Sequence, residues 1–165
     1  MKSKSINILI ISFLMLGIMS IMLITFVGNA KEDFPENITV SADGVTEEIL
    51  SVRELRLNPT ESKEYSVNLV CAASGSFRIC LDYEEKADGG MKPFVDVTVE
   101  VNDDVLYDGT LTELIDGGKT IEFEGELHET DPLIVTICYE MPRDVGNEAQ
   151  GTFLDFDVNL KIEKI

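Results

Sequence analysis

Strict two-residue alternation near the end of the chain restricts the fold more than any other feature. Leu133, Val135, Ile137, Tyr139 and Met141 alternate with Ile134, Thr136, Cys138 and Glu140, so one face of this run is wholly apolar. Further on, Phe156, Val158, Leu160 and Ile162 alternate with Asp155, Asp157, Asn159, Lys161 and Glu163, a strand with one solvated face. Between them, 141–151 carries Pro142, Gly146, Asn147, Gln150 and Gly151. Proline lacks an N–H, and Gly and Asn favour turn geometry, so this connection is neither helix nor central strand. Asn147 and Gln150 are expected to tie down its backbone. Two such strands need a second sheet over their apolar face, which the earlier runs must supply.

Those runs follow the same period. Leu50, Val52, Leu55 and Leu57 suit a kinked strand better than a helix, because Asn58-Pro59-Thr60 stops the run and Tyr65, Val67, Leu69 and Cys71 resume alternation. A small-residue turn at 72–76 leads to a return strand with Phe77, Ile79, Leu81 and Tyr83, and 84–93 reads as an exposed loop. Val95, Val97, Val99 and Val101 share a face, and Asn102-Asp103-Asp104 turns them into 105–107 as a hairpin. Residues 110–114 suit one helical turn that drops Leu111 and Leu114 onto the core, ended by Asp116-Gly117-Gly118. A short strand at 121–123 and a loop at 125–131 complete the pattern. Strands at this spacing, without a long amphipathic helix, predict an all-β sandwich of about 7 to 9 strands over 49–165.

Ahead of it, 31–48 is acidic, contains Pro35 and Gly44, and reads as a flexible lead-in with a β-prone island at 38–40. Before that, Lys2 and Lys4 precede an apolar stretch at 6–27 that ends in Gly28-Asn29-Ala30. Basic start, apolar centre and small residues are the parts of a secretory signal cleaved after Ala30 by signal peptidase. The centre exceeds the usual core of about 7 to 15 residues, so an uncleaved anchor is the alternative. Either way the lysines stay inside and the domain is placed outside.

The 165 residues carry a formal charge of −18, and removing 1–30 leaves 11 basic and 31 acidic groups, net −20. Such a charge repels nucleic acid and anionic membranes, leaving 6–27 as the membrane contact. Three cysteines, Cys71, Cys80 and Cys138, cannot all pair internally; free or half-buried thiols are expected, with a Cys80–Cys138 bond across neighbouring strands as the alternative.

Catalytic patterns are absent from the sequence. A zinc peptidase needs two His one helical turn apart, and the chain has His128 alone. Ser74 sits in a turn and would have to share that same His for a triad. Oxygen-rich turns give Asp103, Asp104 and Asp108 as a calcium candidate, though no spacing matches an EF-hand loop. No cofactor is expected.

The long export segment, the 57–62 corner, 106–114, and Gly146-Asn147-Glu148-Ala149-Gln150-Gly151 followed by Phe156-Asp157-Val158 resemble the TasA and camelysin family of exported bacterial surface proteins. The likeness spans 50–165 as an order of motifs, with Thr60 where that family often has Gly. The resemblance implies a jelly-roll sandwich and a structural role at the cell surface or in the biofilm matrix, and the lone His128 argues against the peptidase activity ascribed to some camelysin-like proteins. The resemblance also implies self-assembly with itself or related matrix subunits, in which an N-terminal segment adds as a strand to the next subunit. Phe34, Ile38 and Val40 are the candidate donor residues here. The alternative is a membrane-anchored monomeric module that binds protein, glycan or calcium, and a peptidase is the third reading.

Overall fold

The computed structural model describes residues 34–42 and 44–165. The apolar stretch 6–27 and the Ala30 cleavage point lie outside the described residues.

Among the described residues, nine strands form two sheets. One sheet has the order β1 (Asn37–Val40), β3 (Ser62–Cys71), β8 (Leu133–Glu140), β5 (Asp96–Val101), β6 (Asp104–Thr110). The other has the order β2 (Val45–Leu55), β9 (Leu154–Lys164), β4 (Gly75–Asp88), β7 (Ile121–Leu127). The antiparallel pairs nest: β5 with β6, β4 with β7, β3 with β8 and β2 with β9. This is one long hairpin rolled over itself, an eight-stranded jelly roll from β2 to β9. β1 is an addition, lying parallel to β3 at the edge.

The alternating apolar residues all point inward. Val52, Phe77, Ile79, Leu81, Phe156 and Val158 of one sheet meet Val67, Leu69, Val97, Val99, Ile137 and Tyr139 of the other, each essentially without exposure. The tip of the roll is the expected β5–β6 hairpin, where Asn102 (φ 49°) and Asp103 (φ 69°) both take the left-handed conformation of a type I′ turn. The helical turn α1 (Leu111–Ile115) is capped by the Thr110 side chain, which accepts from the Glu113 N–H. It buries Leu111 and Leu114 completely, each contributing roughly 1.5–3 kcal/mol. Residues 49–55 are strand and not helix.

Four expectations are corrected. The small-residue turn at 72–76 does not lead back within one sheet: β3 and β4 lie in different sheets. The terminal strands β8 and β9 likewise face each other across the core, and 141–153 carries the chain from one sheet to the other. Strand structure extends through 84–88 and 125–127, because β4 follows β9 as far as Asp88 opposite Leu154, and Leu127 pairs with Gly75. The lead-in contains β1 and the start of β2, so part of it belongs to the sandwich.

Cys80 and Cys138 are not joined. Cys80 lies on the outer face of the four-stranded sheet between Lys161 and Glu122, and Cys138 on the outer face of the other between Glu64 and Thr98. Sheets packed about 10 Å apart, with both thiols pointing away from the gap, exceed disulfide reach.

Candidate functional site

The β1 edge is where the expected donor residues gather. Ile38 and Val40 are buried in the core at 3% and 2% exposure, so the segment is docked on its own chain. The alternation that makes 38–40 strand-like also turns Asn37 and Thr39 outward. Register pairs Asn37 with Asn68 and Thr39 with Val70. The Asn68 amide donates to the Asn37 side-chain oxygen at 3.1 Å, and the Asn68 N–H donates to the Glu36 carbonyl at 2.9 Å. Phe34 lies against Tyr65 with ring centroids 4.4 Å apart. The aromatic contacts continue from Tyr65 to Tyr139 at 5.8 Å and from Tyr139 to Phe156 at 5.2 Å, so the lead-in caps a ladder that crosses the core. Burial pushes the Tyr65 hydroxyl up to about 12, which keeps it neutral throughout the physiological range.

The calcium candidates are not brought together. Asp103 and Asp104 occupy the β5–β6 turn, whereas Asp108 pairs with Thr98. Four residues of strand, roughly 13 Å, separate Asp104 from Asp108. Among the described residues no cluster of three or more His, Cys, Asp or Glu side chains could hold a metal ion.

The 141–153 connection is held by local bonds. The Gln150 amide donates to the Asn147 side chain at 3.1 Å, the Gln150 N–H to the Asn147 carbonyl at 3.1 Å, and the Val145 N–H to the Pro142 carbonyl at 3.3 Å. Gly151 takes φ 75°, and Gly146 is extended. Ala149 is buried and anchors the loop. The two amides therefore bond to each other on the exposed side of the connection.

Ser74 and His128 do meet: the Ser74 Oγ lies 3.1 Å from His128 Nδ1, and Glu126 lies 3.7 Å from Nε2. A working triad needs an acid that is buried and hydrogen-bonded to the imidazole. Here the His128 and Glu126 side chains are 43% and 74% exposed.

Two features escaped sequence reasoning. A shallow groove of about 460 Å³ runs over the outer face of the four-stranded sheet, lined among others by Glu47, Ile49, Asp82, Asn159 and Lys161. Its sequence signal is Ile49, an apolar residue on the polar phase of β2 and 61% exposed. Beside it, Asp157 is the buried carboxylate of an outer-face network, accepting from Ser51 Oγ at 2.8 Å and Arg53 Nη2 at 2.6 Å, with Lys86 Nζ at 3.3 Å. Alternation alone assigns Asp157 to solvent. Long neighbouring side chains on two flanking strands cover it.

No family model and no curated protein matches the chain. Solved structures share its β architecture at low similarity. The insecticidal delta-endotoxin Cry8Ea1 from Bacillus thuringiensis is 11% identical with TM-score 0.34, over 72% of this chain and 20% of that one. PliG from Aeromonas hydrophila, a periplasmic inhibitor of g-type lysozyme, is 10% identical with TM-score 0.32, over 78% of this chain and 98% of that one. A family 35 carbohydrate binding module from Clostridium thermocellum is 11% identical with TM-score 0.33, over 72% and 92%. The chain spans about a fifth of the length of the endotoxin. These likenesses concern the β-rich fold and nothing beyond it.

Proposed function

We propose that this chain is a non-enzymatic structural protein, exported to the bacterial surface or extracellular matrix, whose subunits assemble by strand donation through 34–40. The observation that carries this reading is the position of β1 outside the nested roll. The eight strands β2 to β9 complete the jelly roll without it, and β1 pairs with β3 alone. Released from its own β3, the segment offers Phe34, Ile38 and Val40 to the same slot of another copy. Backbone bonds supply affinity, and the alternate side chains fill pockets. Such a head-to-tail contact does not close on itself and therefore propagates.

The described residues 34–42 and 44–165 belong to one compact unit that contains the buried cluster, so 31–165 is the fragment to test. Filaments seen by electron microscopy and light scattering, and lost on deletion of 31–40, are the expected result. A monomer at every salt and pH rejects assembly.

The groove beside Ile49 supports a second reading, a monomeric binding module held at the membrane through 6–27. Binding there would raise the melting temperature with added ligand while the mass stays monomeric.

A further inference from the structure

Among the described residues the two sheets end in four edge strands, and three are guarded. β2 carries Glu47, Glu48 and Glu54, β7 carries Glu122, Glu124 and Glu126, and β6 carries Asp104 and Asp108. Charge along an exposed edge is a usual device against pairing with other chains. β1, Asn37-Ile38-Thr39-Val40, carries none. The outer face beside it is also free of charge over Thr39, Ser66, Asn68, Val70, Ile134 and Thr136, and Ile134 is 41% exposed. In a chain of formal charge −18, β1 brings no carboxylate of its own into such a contact, and the exposed Glu36 that precedes it stands at either end.

The backbone of β1 is suited to that contact. The Glu36 carbonyl accepts from Asn68, so the backbone groups of Glu36, Ile38 and Val40 face β3. By alternation, those of Asn37 and Thr39 face the open edge. Two copies related by a two-fold axis through Ile38 would bring Asn37 opposite Thr39 of the second copy, and Thr39 opposite its Asn37. Both are hydrogen-bonded positions of an antiparallel pair, which exchange two bonds each.

We propose that the free edge of β1 is a self-association site, at which two copies pair antiparallel about Ile38 and join their five-stranded sheets into one. The contact is isologous and closes as a dimer. It goes beyond strand donation, which takes β1 out of its own sheet, whereas edge pairing leaves it there. The overall negative charge opposes the approach, so association strengthens with salt.

The test is the mass of 31–165 by light scattering against protein concentration at low and raised salt. Below the concentration at which filaments form, the expected result is a doubling of mass that is favoured by salt. Thr39→Pro removes an N–H that faces the open edge and not β3, so it is expected to restore the monomer without lowering the melting temperature. Should Thr39→Pro lower the melting temperature, Thr39→Glu provides the same edge block without a backbone constraint. A monomer under all conditions, or a dimer that survives both substitutions, overturns the proposal. Asn37→Cys with Asn68→Cys, at register partners already in contact, locks β1 in place. Edge pairing persists in the oxidised locked protein and strand donation does not. Loss of the dimer on locking overturns edge pairing, and filaments that vanish on locking favour donation.

Discussion

Arg53 donates to Asp157 at 2.6 Å across the β2–β9 pair, at the point where both neighbours of β9 are irregular. β2 shifts register between Val52 and Leu55, and β4 between Glu85 and Ala87. These irregularities place Arg53 and Lys86 on either side of one carboxylate. Burial alone would raise the Asp157 carboxyl, but the bonds from Ser51, Arg53 and Lys86 outweigh it and hold it below the usual carboxylate range.

Asp157→Ala is expected to destabilise the sandwich by about 1.5–3 kcal/mol, the range for hydrogen bonds to charged groups. Because the folded-state value is depressed, the contribution is present above the unfolded value of about 3.9 and is lost as pH falls through the lower folded value. Denaturant melts of both proteins from pH 7 to pH 2 should converge at the acid end. A constant difference across the series would place the effect in packing.

Thr60 provides a stabilising change. It is β-branched at φ 75°, held there because its N–H donates to the Met141 carbonyl at 2.8 Å while Met141 N–H donates to Glu61 at 3.0 Å. A β-branched residue in this region carries strain of order 1–3 kcal/mol, and glycine carries none. Against that stands the larger entropy that glycine loses on folding. Thr60→Gly is expected to stabilise by about 0.5–1.5 kcal/mol, measured as a rise in denaturant midpoint with unchanged slope.

The lead-in contributes to the fold through Phe34. Phe34→Ala removes the contact with Tyr65, worth about 0.5–1.5 kcal/mol beyond area burial. Faster amide exchange of Ile38, Val40 and Asn68, whose N–H donates to Glu36, is the expected signature, with β8 unaffected. Global loosening would contradict a separately docked β1.

All three thiols are free. Non-reducing denatured protein should therefore take up three alkyl groups. In the native state Cys80 and Cys138 should react and buried Cys71 should not. Burial, and then the surrounding carboxylates, push both outer thiols up. Alkylation should therefore keep accelerating above pH 9, beyond the ordinary thiol midpoint of about 8.5. A mass two units lower without reductant would reveal a disulfide.

By itself the sequence determined which face of each strand is buried. Leu133 to Met141 and Phe156 to Ile162 point inward as their period of two requires, and Leu111 and Leu114 reach the core from one helical turn. It also determined the β5–β6 hairpin, whose turn residues and strands are contiguous and can be read locally. Tertiary structure alone decided which strands are neighbours. Period two assigns a face but is indifferent to the strand on either side, and β2 finds β9 across more than a hundred residues. For that reason the turn at 72–76 and the connection at 141–151 read as local links between neighbouring strands and are crossings between sheets. Asp157 looked solvated until two side chains from flanking strands enclosed it. Phe34, Ile38 and Val40 looked like a free segment, and their place beside Tyr65 and β3 exists only once the core they cover has formed.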